Sequence, residues 1–210
     1  MSNYELHAAS LPGFGQRLSL RIMQLFGWTI RYKPLPGPHG VAIVYPHTSN
    51  WDFFVGLFGK WALGLPFRWL AKDSLFKGPL GGIMRAWGGV PVDRSTTSGS
   101  TQRLADTMRQ SDWFWLAIAP EGTRSYRPHL RSGFYYLALT ADVPLLLIYF
   151  DYPKKELGVI DTIRLSGDQE KDMAAIAAAY EGHLGFHPAL AAPLTLAPAR
   201  SGGAGQGQQA

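Results

Sequence analysis

Short apolar segments that alternate with helical segments constrain the fold of this chain more than any other feature. Segments with the length and composition of buried strands are found at 41–45, 67–71, 89–92, 113–119, 143–150 and 159–165. Helices are predicted between and after them, at 52–63, 79–87, 101–110, 132–140 and 169–184. Apolar strands separated by helices are typical of a sheet that is covered on both faces. The sequence therefore predicts an α/β fold: a single domain with a mostly parallel mixed sheet flanked by helices.

The N-terminal region is distinct because its helical pattern precedes the strands of the predicted sheet. Residues 14–30 predict an amphipathic helix in which Arg17, Arg21 and Gln24 share one narrow stripe. The remaining surface of this helix is mostly apolar, which fits either packing against the domain or insertion into a bilayer interface. We therefore divide the chain into an N-terminal helix and linker (1–40), an α/β domain (41–190) and a Pro-, Ala- and Gly-rich tail that is expected to be disordered (191–210).

Composition narrows the possible functions. The 210 residues contain no cysteine, which excludes disulfides, thiolate metal sites and a thiol nucleophile. Through residue 131 there are 15 basic and 7 acidic residues, so this part of the chain carries a charge of +8. Such an excess indicates an anionic partner: a phosphate-bearing substrate, a membrane surface or a nucleic acid. Because the sequence has no apolar run of 18 residues and no secretory signal pattern, the protein is expected to remain in the cytoplasm.

A His/Asp pair stands after the strand predicted at 41–45, in the segment P-H-T-S-N-W-D. His47 and Asp52 are five residues apart, so neither a continuous helix nor a continuous strand would place them on one face. A turn into a helix that begins around Ser49 or Asn50 would bring them together. An ionised Asp52 would then fix the tautomer of His47 and leave its other nitrogen as a base. The pair is also compatible with a simple helix cap and a loop hydrogen bond.

Two further polar segments follow predicted strands. The segment G-G-V-P-V-D-R places Asp93 and Arg94 after one strand, and P-E-G-T-R places Glu121 and Arg124 after the most apolar strand. The carboxyl ends of strands form the ligand-binding edge of open α/β sheets, and the arginine fork suits a phosphate group. Gly122 allows the backbone to approach a ligand closely. Surface ion pairs are the alternative interpretation of both segments.

Together with the V-P-L-L-L-I segment at 143–148, these motifs resemble those of the 1-acylglycerol-3-phosphate acyltransferases, a family of glycerolipid enzymes. The resemblance covers the region from 41 to 150. It implies that His47 is the general base and that Asp52 orients it. It also implies a set of residues that bind the phosphate of the acceptor: Lys72, Arg94, Glu121, Gly122, Thr123 and Arg124.

The reaction that this resemblance implies is an O-acyl transfer to the hydroxyl of a phosphate-bearing lysophospholipid such as 1-acylglycerol-3-phosphate. Acyl-CoA or acyl carrier protein would be the donor, and no metal or redox cofactor is expected. The enzyme would associate peripherally with the anionic inner face of the cell membrane. Nucleic acid is not an expected partner, because the aromatic residues lie in apolar strands rather than among the arginines. The alternatives are a non-catalytic module that binds anionic lipids and a thioester or phosphoester hydrolase that uses the same pair.

The sequence also departs from the pattern of these enzymes. Ala119 stands where an aromatic residue is usual, and Pro91 stands where phenylalanine is common. The apolar segment at 143–148 lacks its second proline, and a single modest helix replaces the two long apolar N-terminal helices of many members. These differences leave the His/Asp chemistry unchanged and leave the identity of the acceptor open.

Overall fold

The computed structural model describes residues 4–92 and 99–197, which form one eight-stranded sheet with helices on both faces. The strands are β1 (Tyr4–Glu5), β2 (Thr29–Tyr32), β3 (His39–Tyr45), β4 (Arg68–Lys72), β5 (Gly89–Val92), β6 (Phe114–Ile118), β7 (Leu145–Asp151) and β8 (Glu156–Ile163). The helices are α1 (Phe14–Leu25), α2 (Trp51–Leu63), α3 (Leu80–Ala86), α4 (Ser100–Gln110), α5 (Gly133–Ala141) and α6 (Gln169–Ala179). The strands are arranged in the order β1-β2-β8-β7-β3-β6-β4-β5.

The centre of the sheet is parallel. β3 pairs in parallel with β6 and β7, and β4 pairs in parallel with β6 and β5. β8 runs antiparallel to β7, β2 runs parallel to β8, and β1 runs antiparallel to β2. The mostly parallel mixed sheet confirms the predicted fold class. β6 is apolar on both faces, so it is stable only where both faces are covered. In its interior position Phe114, Trp115 and Leu116 are at most 1% exposed.

An apolar layer forms on each face of the sheet because side chains alternate along the strands. Val41 and Ile43 of β3 point to the face that α4, α5 and α6 cover. On the opposite face α1 and α2 pack against the sheet, and Leu20 of α1 lies in one cluster with Phe150 of β7. The sheet is therefore buried between two layers of helices. Because both faces are covered, a ligand can reach the sheet only at the ends of its strands.

Residues 26–30 are not helical, so the prediction of a single helix over 14–30 was wrong at its C-terminal end. α1 ends at Leu25, and Gly27 follows with a φ of 80°, a left-handed conformation that glycine adopts without strain. β2 then pairs with β8. The β-branched residues at 29 and 30 favour a strand, and the free edge of β8 offers hydrogen bonds to it. The last part of the predicted helix and the start of the linker therefore belong to the sheet.

The helix α1 has one apolar surface that is buried and another that is exposed. Leu20 and Met23 are buried against the domain. Phe14, Leu18 and Leu25 are 75%, 45% and 82% exposed, so a second apolar surface points away from the core. Within the ranges 4–92 and 99–197, no helix has the length and apolar character required to cross a membrane.

Residues 191–197 pack against the domain, which corrects the prediction of a disordered tail that begins at 191. Ala192 and Leu196 are 1% and 7% exposed, and Leu196 forms an isolated bridge with Leu130. These contacts join residues far apart in the chain, so a local composition rich in proline and alanine did not reveal them. Residues 198–210 lie outside the described part of the chain. α6 likewise ends at Ala179, before Gly182 with a φ of 81°, rather than at 184.

We expect Gly40→Ala to destabilise the fold. A Cβ on Gly40 of β3 would lie 2.2 Å from a ring carbon of Trp115, a fully buried side chain that has no space into which it can move. The free energy of unfolding in urea should fall by about 1–3 kcal/mol. Gly37→Ala is the matched control, because a Cβ at that position meets nothing within 4 Å. Equal losses in the two variants would contradict this explanation.

Candidate active site

The candidate site is built from loops at one edge of the sheet. β3, β6 and β4 are parallel neighbours, and they end at Tyr45, Ile118 and Lys72. Their carboxyl ends therefore lie side by side, at the edge where open α/β sheets bind ligands. The loops that follow β3 and β6 carry His47 and Glu121, so the sheet brings two of the predicted segments to one place.

His47 and Asp52 are in contact. The chain turns after β3 into α2, and this turn places Asp52 in the first turn of the helix. His47 Nδ1 lies 3.0 Å from Asp52 Oδ2, so a neutral imidazole donates its proton through Nδ1 and keeps a lone pair at Nε2. The side chain of Asp52 is completely buried, whereas that of His47 is 18% exposed. The histidine can therefore offer a basic nitrogen while the aspartate fixes its tautomer.

Two other donors hold the carboxylate of Asp52. The backbone N–H of Ser49 donates to Oδ2 at 2.9 Å, and the hydroxyl of Tyr152 donates to Oδ1 at 2.5 Å. The Oγ of Ser49 in turn accepts the N–H of Trp51 at 3.2 Å, whereas Asn50, the N-cap residue of α2, makes no side-chain cap hydrogen bond. Asp52 therefore accepts a backbone N–H from the residues just before α2 and also contacts His47.

Glu121 lies behind the loop of His47 and is only 2% exposed. Its Oε2 accepts the backbone N–H of His47 at 2.5 Å, and its Oε1 accepts that of Ala192 at 3.1 Å. Burial raises the pKa of this carboxyl to about 7, although the two N–H donors act in the opposite direction. Glu121 therefore braces the loop. The contact with a substrate phosphate that the resemblance implies stays a prediction.

Residues 184–192, which we call the C-terminal strap, pass over the loop of His47. The backbone N–H of His187 donates to Oγ1 of Thr48 at 3.0 Å. A Cβ on Gly185 would lie 2.6 Å from the same oxygen, so this close approach requires glycine. Together with the bond from Ala192 to Glu121, these contacts tie the loop of His47 to the strap.

Tyr152 and the C-terminal strap are parts of the site that the sequence analysis missed. The signal for Tyr152 was the pair Asp151-Tyr152 directly after a buried apolar strand, at the edge where the other polar segments lie. For the strap there was no local signal, because it acts through backbone groups and through residues distant in the chain.

A cleft of about 1360 Å³ adjoins the His/Asp pair. Several of the predicted site residues line it: His47, Asp52, Lys72, Gly122, Thr123 and Arg124. An apolar wall is contributed by α2 and the neighbouring strands, with Phe53, Leu57, Trp69, Ile148 and Phe150. Arg94 lies outside the described residues, so its predicted place at the site stays a prediction. The cleft thus combines one imidazole base, cationic side chains and a long apolar surface.

Within the described ranges, no group of three or more His, Asp or Glu side chains could hold a metal ion. His183 Nδ1 lies 3.3 Å from Asp151 Oδ2, and the His183 ring stacks on Tyr149 with centroids 3.9 Å apart. Burial lowers the pKa of His183. His183 is therefore held by contacts with Asp151 and Tyr149.

The chain was compared with family models, curated proteins and solved structures. A family model described as Acyltransferase matches residues 30–150, which is more than half of the chain. A comparison with curated proteins finds no significant match. Among solved structures, the crystal structure of the 1-acyl-sn-glycerophosphate (LPA) acyltransferase PlsC from Thermotoga maritima is similar, with a TM-score of 0.51 and 17% sequence identity. The similarity covers 79% of this chain and 77% of that one, and at this identity it indicates a shared fold.

We expect Glu121→Gln to destabilise the protein by about 1–3 kcal/mol, because a buried N–H would lose its acceptor. The amide NH₂ of the glutamine must face the backbone N–H of either His47 or Ala192. Urea denaturation measures the effect, and Glu181→Gln at an exposed position is the control. If the two variants unfold at the same urea concentration, Glu121 is not the brace described above.

Proposed function

The chain belongs to the acyltransferase family, and from this premise we propose that it acylates the hydroxyl of a phosphate-bearing lysophospholipid such as 1-acylglycerol-3-phosphate. The acyl group would come from the thioester of acyl-CoA or acyl carrier protein. The contact of 3.0 Å between His47 and the buried Asp52 carries the proposal, because it supplies an oriented base inside the cleft. The similar solved structure is that of an LPA acyltransferase, which is consistent with this acceptor class.

In the proposed reaction, His47 acts as the general base. Its Nε2 takes the proton of the acceptor hydroxyl while the hydroxyl oxygen attacks the thioester carbonyl carbon. A C–O bond forms, the C–S bond breaks, and the histidinium returns its proton to the leaving thiolate. Asp52 keeps the proton on Nδ1 and stabilises the positive charge that develops on the ring. The reaction as proposed needs no acyl-enzyme, metal or redox cofactor.

The other walls of the cleft fit the two substrates. Lys72 and Arg124 are cationic, and Gly122 and Thr123 lie beside Arg124 in the same wall, so we assign the phosphate of the acceptor to this side. A phosphate held at a fixed distance would position the hydroxyl and reduce the entropic part of the barrier. Arg94 remains part of this proposal through its sequence motif alone. The apolar wall beside α2 would take a hydrocarbon chain.

We further propose that the enzyme works at the cytoplasmic face of an anionic membrane. Leu18 and Leu25 are exposed on the outer face of α1, and Arg17 and Arg21 lie on the same helix. Exposed apolar side chains beside arginines are typical of helices that lie in the interface of an anionic bilayer. Both substrates carry acyl chains, so a docked enzyme could receive its acceptor directly from the membrane.

We expect His47→Ala to lower kcat by about 10²–10⁴-fold, because the variant has no general base. Asp52→Asn should also lower kcat, since its amide can present an N–H instead of an acceptor to Nδ1. Thiol release from acyl-CoA in the presence of 1-acylglycerol-3-phosphate measures the rate, and mass spectrometry of the lipids identifies the product. His183→Ala is the matched control, because it removes a histidine that contacts another buried aspartate.

Three outcomes would contradict parts of the proposal. Full turnover in both His47→Ala and Asp52→Asn would show that the base is misassigned. Free fatty acid that is released at an undiminished rate without any acceptor would indicate a hydrolase. Binding of anionic lipid without acyl transfer to any member of a lysolipid panel would indicate a binding module.

We expect the double variant Leu18→Ser, Leu25→Ser to bind phosphatidylglycerol vesicles at least several-fold more weakly, because it loses exposed apolar area from α1. Vesicle co-sedimentation measures the binding, and phosphatidylcholine vesicles test the dependence on charge. Tyr136→Ser is the control, because Tyr136 is an exposed aromatic residue of α5, on the other face of the sheet. Equal binding by the double variant and the control would exclude α1 as the docking surface.

A further inference from the structure

The carboxylate of Asp52 has one partner besides the backbone N–H of Ser49 and the histidine. Its Oδ2 is shared by the backbone N–H of Ser49 and by His47 Nδ1, at 2.9 and 3.0 Å. Its Oδ1 accepts the hydroxyl of Tyr152 at 2.5 Å. The side chain of Asp52 is completely buried, and a buried oxygen without a hydrogen-bond donor would destabilise the fold. Tyr152 supplies the donor for Oδ1.

The ring of Tyr152 is held in place by its surroundings. It packs edge-on against Trp28, with ring centroids 4.9 Å apart, and edge-on against Phe186, with centroids 5.2 Å apart. The backbone N–H of Tyr152 donates to the carbonyl of Leu184 at 2.9 Å. The hydroxyl therefore has a fixed position from which it can hold a second group in one orientation.

The chemistry of Tyr152 suits a permanent donor. Burial and the neighbouring carboxylate of Asp52 raise the pKa of its hydroxyl, so the phenol stays protonated. Tyr152 is not among the described residues that line the cleft, and its hydroxyl contacts the carboxylate of Asp52.

We propose that Tyr152 is a positioning residue whose hydroxyl locks the carboxylate of Asp52 in the orientation that keeps the proton of His47 on Nδ1. The result is a continuous chain of hydrogen bonds from Tyr152 through Asp52 to His47. Without the hydroxyl, only the N–H of Ser49 and the imidazole hold the carboxylate among the described residues, so it can rotate about its terminal bond and its hydrogen bond with Nδ1 weakens. Tyr152 follows the region that the family model matches, which ends at 150. Only the expected effect on kcat rests on the proposed function.

The kinetic test compares Tyr152→Phe with Tyr149→Phe. Both variants remove a tyrosine hydroxyl that donates to a carboxylate, but Tyr149 donates to Glu156, which lies outside the site. We expect Tyr152→Phe to lower kcat about tenfold with KM within about twofold, and Tyr149→Phe to leave kcat unchanged. In an Asp52→Asn background, Tyr152→Phe should change kcat less than about twofold, because the residue through which it acts is already altered. Equal kcat in the two phenylalanine variants would overturn the proposal.

A second measurement does not require activity. The ¹⁵N chemical shifts of histidine-labelled protein report which ring nitrogen of His47 carries the proton, and His47→Gln identifies its signals. We expect the Nδ1–H tautomer to dominate in the wild type and in Tyr149→Phe, and a mixture of both tautomers in Tyr152→Phe. Unchanged shifts in Tyr152→Phe would overturn the positioning role. If the wild type transfers no acyl group to any lysolipid, the proposed function fails, and the shifts still decide the role of Tyr152.

Discussion

A carboxylate removed from water must find hydrogen-bond donors within the protein, and this requirement organises the candidate site. Asp52 has no exposed side-chain surface. Its donors come from the loop between β3 and α2, which supplies His47 and the backbone N–H of Ser49, and from Tyr152 directly after β7. Two separate segments are thus tied to the side chain of one residue in α2. The orientation of His47 is a consequence of this arrangement, because the imidazole is itself one of the donors.

Glu121 repeats the same principle on the other side of the loop. Both of its oxygens accept backbone N–H groups, one from His47 and one from Ala192, so this side chain joins two parts of the chain. The cationic residues Lys72 and Arg124 remain at the cleft. The acyltransferase therefore separates two tasks: buried carboxylates build the loop, and side chains at the cleft are available to substrates.

The sequence allowed the prediction of those features that depend on local pattern. The apolar strands gave the fold class, β5 has the bounds that were predicted, and the turn between His47 and Asp52 follows from their spacing and the capping residues. β2, the C-terminal strap and Tyr152 were not predicted. Each of them depends on partners far along the chain: β2 on the free edge of β8, the strap on the loop of His47, and Tyr152 on Asp52. A local sequence pattern does not show which distant residues will be in contact.

The position of the strap in the chain has a consequence for biosynthesis. A ribosome makes the loop of His47 early and the strap late, because translation proceeds from the N-terminus. Until Ala192 leaves the exit tunnel, one oxygen of Glu121 and the oxygen of Thr48 lack the partners they have in the finished protein. The nascent polypeptide therefore holds an unfinished loop until the strap has emerged, and the candidate site is completed only after that point.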